Sequence, residues 1–296
     1  MKKSIEDFVF YMTDVKKMSL STVQSYQRDL NKMRTFMESI GIDAVDKVTV
    51  TNINTYILKL EKDGMSAATI SRNIAAMRSF FRFLLQNKQI DYEPVEFLKA
   101  PPVEKKLPSV LSIEEVERIL NQPDESTLKG IRDKAMLELL YATGIRVSEI
   151  VLLKVSDLSM EMDYVICRNQ VSYKDRVIPF GKSAKRALSH YFSSCRDMMM
   201  KDKDSDILFV NCKGKPMSRQ GFWKIIKEYG EKAGITSEIN PIIIRHSFAT
   251  HMVSNGADLK SIQEMMGLSD ISSARIYEDV KRQRLRTVYD KTHPRN

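Results

Sequence analysis

The chain has few cysteines, few histidines and no long apolar run. Its 296 residues hold three Cys, four His and one Trp. Cys167, Cys195 and Cys212 are odd in number and form no Cys-x-x-Cys pair, which argues against a disulfide framework or a zinc finger and fits a reducing cytoplasm. The longest apolar stretches, such as Ile242-Ile243-Ile244, fall far short of the ~20 residues that span a bilayer, so no membrane partner is expected. Met1-Lys2-Lys3-Ser4-Ile5-Glu6-Asp7 acquires acids before any apolar core and does not read as a signal peptide. A Walker-type phosphate loop, a dinucleotide-binding glycine fingerprint and an HExxH pair are all missing, which removes support for nucleotide-driven and zinc-protease chemistry. His190, His246, His251 and His293 have no metal-ligand spacing, and no cofactor or metal is expected.

What is present is an excess of positive charge. Lys and Arg number 47 against 38 Asp and Glu, a net charge of +9, which favours an acidic partner, nucleic acid ahead of a membrane surface. With 43% hydrophobic and 29% charged residues the composition is that of a globular chain, and the length suits two domains better than one. The boundary is expected in the proline-containing, charged stretch 101–108, which disfavours helix and central strand. It separates an N-terminal domain, 1–100, from a C-terminal domain, 109–296.

The first domain reads as four helices. Ile5, Phe8, Val9 and Met12 repeat at helical spacing, as do Val23 through Ile40, Ile53 through Leu60, and Ile70 through Leu85. On the fourth helix Arg72 and Ser79 lie opposite the apolar arc and Arg82 flanks it. These three are the candidate DNA-backbone contacts, although a plain solvated face has the same pattern. The second domain reads as mostly helical, with helical runs at Ile131–Tyr141, Arg146–Leu153, Ser183–Met200, Gln220–Ala233, Ile243–Ser254, Leu259–Met266, Ser272–Val280 and Arg284–Lys291 around one hairpin, Tyr164–Arg168 with Arg176–Phe180. The fold class is therefore mainly α, a four-helix domain followed by a mostly helical one with a small antiparallel β-sheet.

Four segments carry chemistry: Tyr141-Ala142-Thr143-Gly144-Ile145-Arg146-Val147-Ser148-Glu149-Ile150; Lys174-Asp175-Arg176-Val177-Ile178-Pro179; Ile244-Arg245-His246-Ser247-Phe248-Ala249-Thr250-His251; and Gly267-Leu268-Ser269-Asp270 followed by Ile276-Tyr277. In this order and spacing, behind a helical domain and a linker, they resemble the tyrosine recombinase (phage integrase) family, closest to its Xer branch. The resemblance implies an N-terminal DNA clamp and a C-terminal catalytic domain that cuts and rejoins DNA through a 3′-phosphotyrosyl bond, needing neither ATP nor a metal. It implies Tyr277 as nucleophile, Arg146 and Arg245 as the phosphate-holding guanidinium groups, and Lys174 as the acid for the departing 5′-oxygen. Such chemistry suits these residue types. Guanidinium forks match phosphate oxygens and stay charged, whereas a phenol of ordinary pKa near 10 needs activation. Glu149 is placed to orient Arg146, or to form an ordinary surface pair with it.

The pattern is incomplete at two places. The family carries histidine three residues before its second arginine and histidine or tryptophan after the glycine of the fourth segment. Here these positions hold Ile242 and Leu268. His246 and His251 do not replace them in register and read as scaffold. The expected partners are duplex DNA and other recombinase subunits, as a homo- or hetero-tetramer on paired sites, with Arg284–Tyr289 docking on a neighbouring subunit. Two alternatives stand beside the enzyme: a non-catalytic DNA-binding paralogue or silent subunit, and a helical adaptor whose basic surface is incidental.

Overall fold

The computed structural model describes residues 1–102, 107–168 and 175–292, with residues 283–292 described by backbone alone. Lys174 and the Arg284–Tyr289 side chains thus lie outside the described residues. The chain divides into two compact units, Met1–Lys105 and Lys106–Asn296. Among the described residues no helix is long and apolar enough to cross a membrane.

Polar caps start the helices of the first unit. These are α1 (Lys2–Phe10), extended by a π-helical turn at Tyr11–Val15, α2 (Leu20–Ser39), α3 (Val50–Lys62) and α4 (Ala67–Gln86). Ser19, Thr49 and Ser66 each accept a backbone N–H of the first turn of α2, α3 and α4, taking up donors that a helix start leaves unpaired. The apolar repeats then close on one another. Phe8, Leu30, Met33, Ile53, Ile74, Phe80, Phe81 and Leu84 are fully buried, with the Phe8 ring packed against Phe80 and Phe83. Each such side chain contributes roughly 1.5–3 kcal/mol by leaving water.

The second unit holds α5 (Ile113–Leu120), α6 (Leu128–Thr143), the single turn α7 (Val147–Ile150), β1 (Leu158–Ser159), β2 (Tyr164–Cys167), β3 (Arg176–Pro179), α8 (Lys182–Ser194), α9 (Arg196–Met199), α10 (Arg219–Lys232), α11 (Pro241–Ser254), α12 (Leu259–Met266) and α13 (Ser272–Thr292). The strands form one antiparallel sheet in the order β1-β2-β3, with Val165 opposite Ile178. The mainly helical class with a small antiparallel sheet is what the chain adopts. Local details differ from the periodicity reading. Helix α5 was not anticipated, although Ser112 and Glu115 form the capping box that announces it. The expected helix from Arg146 to Leu153 is one turn only. The run Ser183–Met200 breaks at Cys195, whose backbone leaves the helical region (φ −136°, ψ −51°). The separate runs Ser272–Val280 and Arg284–Lys291 are one continuous helix.

Helix α11 is central to the second unit, packing against α6, α12 and α13. His251 on α11 joins two distant segments: its Nε2 meets the Leu111 carbonyl at 2.9 Å and its Nδ1 meets the Tyr141 hydroxyl at 2.9 Å. The carbonyl requires a proton on Nε2, so neutral His251 accepts from Tyr141. This is the scaffold role read for it.

A buried polar knot lies elsewhere in the same core. Asp133 is fully buried, accepts Arg132 Nη2 at 2.6 Å and Tyr229 Oη at 3.0 Å, and Arg132 donates onward to the Val210 carbonyl. Removing one partner strands a buried charge. Asp133→Ala is expected to lose about 3–5 kcal/mol of unfolding free energy in a urea titration, while an exposed control such as Glu231→Ala should change little.

Candidate functional site

Two helix ends build the site. Helix α6 ends at Gly144 and α12 at Gly267, both left-handed (φ +59° and +61°). Such caps turn the chain sharply and leave terminal carbonyls unpaired, at the negative end of the helix dipole. Guanidinium groups take these carbonyls. Arg245 Nη1 donates to the Gly144 carbonyl and its Nη2 to the Met266 carbonyl at 2.5 Å. Arg146 Nη2 donates to the Gly267 carbonyl at 2.7 Å. Arg146 and Arg245, 99 residues apart in sequence, are thereby brought to the same pair of turns.

Neither glycine can be replaced freely. A Cβ on Gly144 would stand 2.2 Å from the Phe248 ring, and one on Gly267 would stand 2.2 Å from Arg176 Nη1. That second contact reveals a third arginine. In β3 the side chains alternate, Val177 out and Ile178 in, so Arg176 faces inward with an 11% exposed side chain. It pairs with Glu149 Oε1 at 3.0 Å. Glu149 also accepts the Arg146 backbone N–H at 2.7 Å and Arg146 Nη1 at 3.1 Å. Burial works to raise the Glu149 carboxyl, but the Arg146 N–H and the charges of Arg176 and Arg146 outweigh it and hold the group below its ordinary value. Burial, reinforced by the charge of Arg146, lowers Arg245 to about 10.

Tyr277 projects from α13 into a pocket of Phe248, Val253, Ile262 and Met266 and is 2% exposed. Its hydroxyl lies 3.0 Å from His246 Nδ1. Burial pushes the phenol above its usual value of 10 against the pull of Arg245, and burial together with Arg245 holds His246 below 6.5. The structure therefore brings Arg146, Arg245 and Tyr277 together, puts Glu149 on Arg146 as one of its two expected roles has it, and adds Arg176 and His246, while Lys174 lies outside the described residues. Ile242, in the first turn of α11, is 62% exposed, and Leu268 follows the Gly267 cap beside the Tyr277 pocket. Inward alternation in β3 could have exposed Arg176, because a buried arginine needs a carboxylate. Nothing in the linear sequence signals the His246–Tyr277 contact.

The candidate DNA contacts of α4 separate. Arg72 grips Asp29 through two hydrogen bonds, 2.7 and 3.0 Å. Ser79 and Arg82 instead line a groove of about 670 Å³ with Arg78, Lys16 and Tyr11. Arg82 is 65% exposed with a distant acid, Glu93, at 3.9 Å.

The fold and site together define a tyrosine recombinase. Residues 109–284 match the phage integrase family and residues 5–88 match its N-terminal SAM-like domain. The chain belongs to the phage integrase family. Within it the chain is similar to the tyrosine recombinase XerD of Oceanobacillus iheyensis, at 43% identity over 99% of this chain and 98% of that protein, and to XerD of Staphylococcus haemolyticus, at 38% over the whole of both. The expected resemblance to the Xer branch thus extends along the whole chain. Among solved structures, XerA recombinase aligns over 100% of this chain and 99% of that one, at 27% identity and a TM-score of 0.54. XerH bound to its difH substrate shares the fold at a TM-score of 0.77 and 22% identity, over 92% of this chain and 80% of that one.

The Glu149 geometry carries a pH consequence. A carboxyl held below 4.5 in the folded state stabilises fully above that value, and the contribution is lost as pH falls through the lower folded value. Glu149→Gln should flatten the acid limb of stability plotted against pH below about 4.5, read by denaturant midpoints. An unchanged acid limb would contradict the ion-pair assignment.

Proposed function

We propose that this chain is a site-specific DNA strand-transferase with Tyr277 as nucleophile. One observation carries the reading: Arg146, Arg245 and Tyr277, from three distant segments, converge where Arg245 is held by two uncharged carbonyls and Arg146 by one carbonyl and by Glu149, an acid it shares with Arg176, so the cluster keeps a net positive charge for an anion. The scissile phosphate takes the forks of Arg146 and Arg245, which oppose the charge that builds on the phosphoryl oxygens during transfer. The Tyr277 oxygen attacks phosphorus and remains bound to the 3′-phosphate. Lys174, by resemblance to the family, gives its proton to the departing 5′-oxygen. Religation reverses these steps on another strand.

The N-terminal unit, residues 1–100 with the 101–108 linker, would bind the same duplex, with the Ser79–Arg82 groove as its phosphate contact. Arg72 serves chiefly to hold Asp29. Tethering raises the effective concentration of each unit for DNA, so full-length protein should bind far more tightly than residues 109–296 alone. Assembly as a homo- or hetero-tetramer on paired sites, action in the cytoplasm and a role in chromosome dimer resolution or mobile-element recombination follow from resemblance to Xer recombinases. A silent, DNA-holding subunit is the second reading, favoured by Ile242 and Leu268 where the family places proton-handling donors.

Nicked duplex DNA carrying the chain's site, followed by a denaturing gel, tests the proposal. Unmodified protein should form a covalent adduct and Tyr277→Phe none. Ile242→His with Leu268→His should accelerate adduct formation, by up to about 10²–10³ per restored donor. An adduct persisting in Tyr277→Phe would refute the nucleophile. No adduct from native or restored protein on DNA that it binds would establish the silent subunit.

A further inference from the structure

We propose that His246 is the proton acceptor for Tyr277, supplying from within α11 the imidazole that positions 242 and 268 lack. This rests on the strand-transfer reading above. A phenol above its ordinary pKa is a poor nucleophile at neutral pH unless its proton leaves as it attacks. Tyr277 is 2% exposed, so bulk water has little access to that proton. Among the described residues His246 is the side chain that hydrogen-bonds the hydroxyl, at 3.0 Å, with ring centroids 5.7 Å apart. That separation is within the reach required of a general base.

The surroundings set the direction of transfer. Half-burial and the neighbouring Arg245 keep His246 neutral, so its Nδ1 offers a lone pair when Nε2 carries the ring proton. Arg245 also acts on the phenol and favours its ionised form. One cation thus discourages a resting imidazolium and helps the developing phenolate. In cleavage the Oη–P bond forms and the P–O5′ bond breaks. The phenol proton passes to His246 Nδ1, and the 5′-oxygen takes its proton from the ammonium of Lys174. In religation the 5′-hydroxyl returns its proton to Lys174 and attacks phosphorus, the P–Oη bond breaks, and the His246 imidazolium reprotonates Tyr277.

His246→Asn tests this, because an amide oxygen can accept the same hydrogen bond but cannot take the proton. Adduct formation on nicked DNA should fall about 10²–10⁴-fold in full-length His246→Asn that still binds DNA. A ring-fluorinated tyrosine at 277, whose phenol is more acidic, should recover at least about tenfold in His246→Asn and change the parent little. A 5′-bridging phosphorothiolate strand, whose thiolate leaves without an acid, should rescue Lys174→Ala but not His246→Asn. Parental rates in His246→Asn overturn the proposal, as does a loss that fluorination leaves untouched, since that marks a packing role. Those outcomes spare the strand-transfer reading. Absence of any adduct from unmodified protein overturns this proposal, and absence from the Ile242→His with Leu268→His protein as well overturns the strand-transfer reading.

Discussion

The site depends on two helices that stop in left-handed glycines. Each stop leaves carbonyls without an intrahelical donor, and in this protein guanidinium groups fill the vacancy. Arg245 bridges the Gly144 turn to the Met266 carbonyl, and Arg146 reaches the Gly267 carbonyl. Carboxylates would fix arginines equally well but would neutralise them. A peptide carbonyl fixes the guanidinium plane and removes no charge. Among the described residues the acid paired with this cluster is Glu149, shared by Arg146 and Arg176. With Arg146, Arg176 and Arg245 set against Glu149, the cluster is left with two net positive charges. Burial of Arg176 and Arg245 makes part of that charge costly, a cost that an anion at the cluster would relieve.

How far the sequence foretold this varied with the kind of interaction. Helix repeats such as Ile70, Ile74, Met77 and Phe81 gave the first unit directly, because burial of one face imposes the period. Arg146, Arg245 and Tyr277 were visible through the spacing of their motifs. What joins them was not, since Gly144, Met266 and Gly267 contribute backbone oxygens and a carbonyl has no signature in a one-letter code. Arg176 was read only as part of a hairpin, although its alternation with Val177 pointed it inward. His246 was read as scaffold because register was the criterion. Contact between α11 and α13 is a tertiary fact, and it puts the imidazole beside the phenol.

The departures at 242 and 268 change how the transition state would be stabilised. A hydrogen-bond donor acts at short range and in one direction. The arginine cluster acts over a longer range and is already oriented, with a third cation in Arg176 behind the first two. Charge stabilisation would therefore be kept without imidazoles at 242 and 268, while proton transfer would need another group. On the strand-transfer reading the two functions would fall to different residues: fixed cations for the phosphate, and the His246–Tyr277 pair for the proton.

That separation bears on the choice between an enzyme and a silent subunit. Both need phosphate affinity, so the arginines favour neither. The phenol distinguishes them. A buried hydroxyl without a partner costs about 1–3 kcal/mol, and its hydrogen bond with His246 removes that cost. A subunit that merely held DNA would be as well served by a phenylalanine in the pocket of Phe248, Ile262 and Met266, with no imidazole to desolvate and none to keep neutral beside Arg245. The protein instead carries a polar pair in an apolar pocket, next to the cation that assists ionisation of the phenol. Geometry of this kind serves chemistry better than it serves packing.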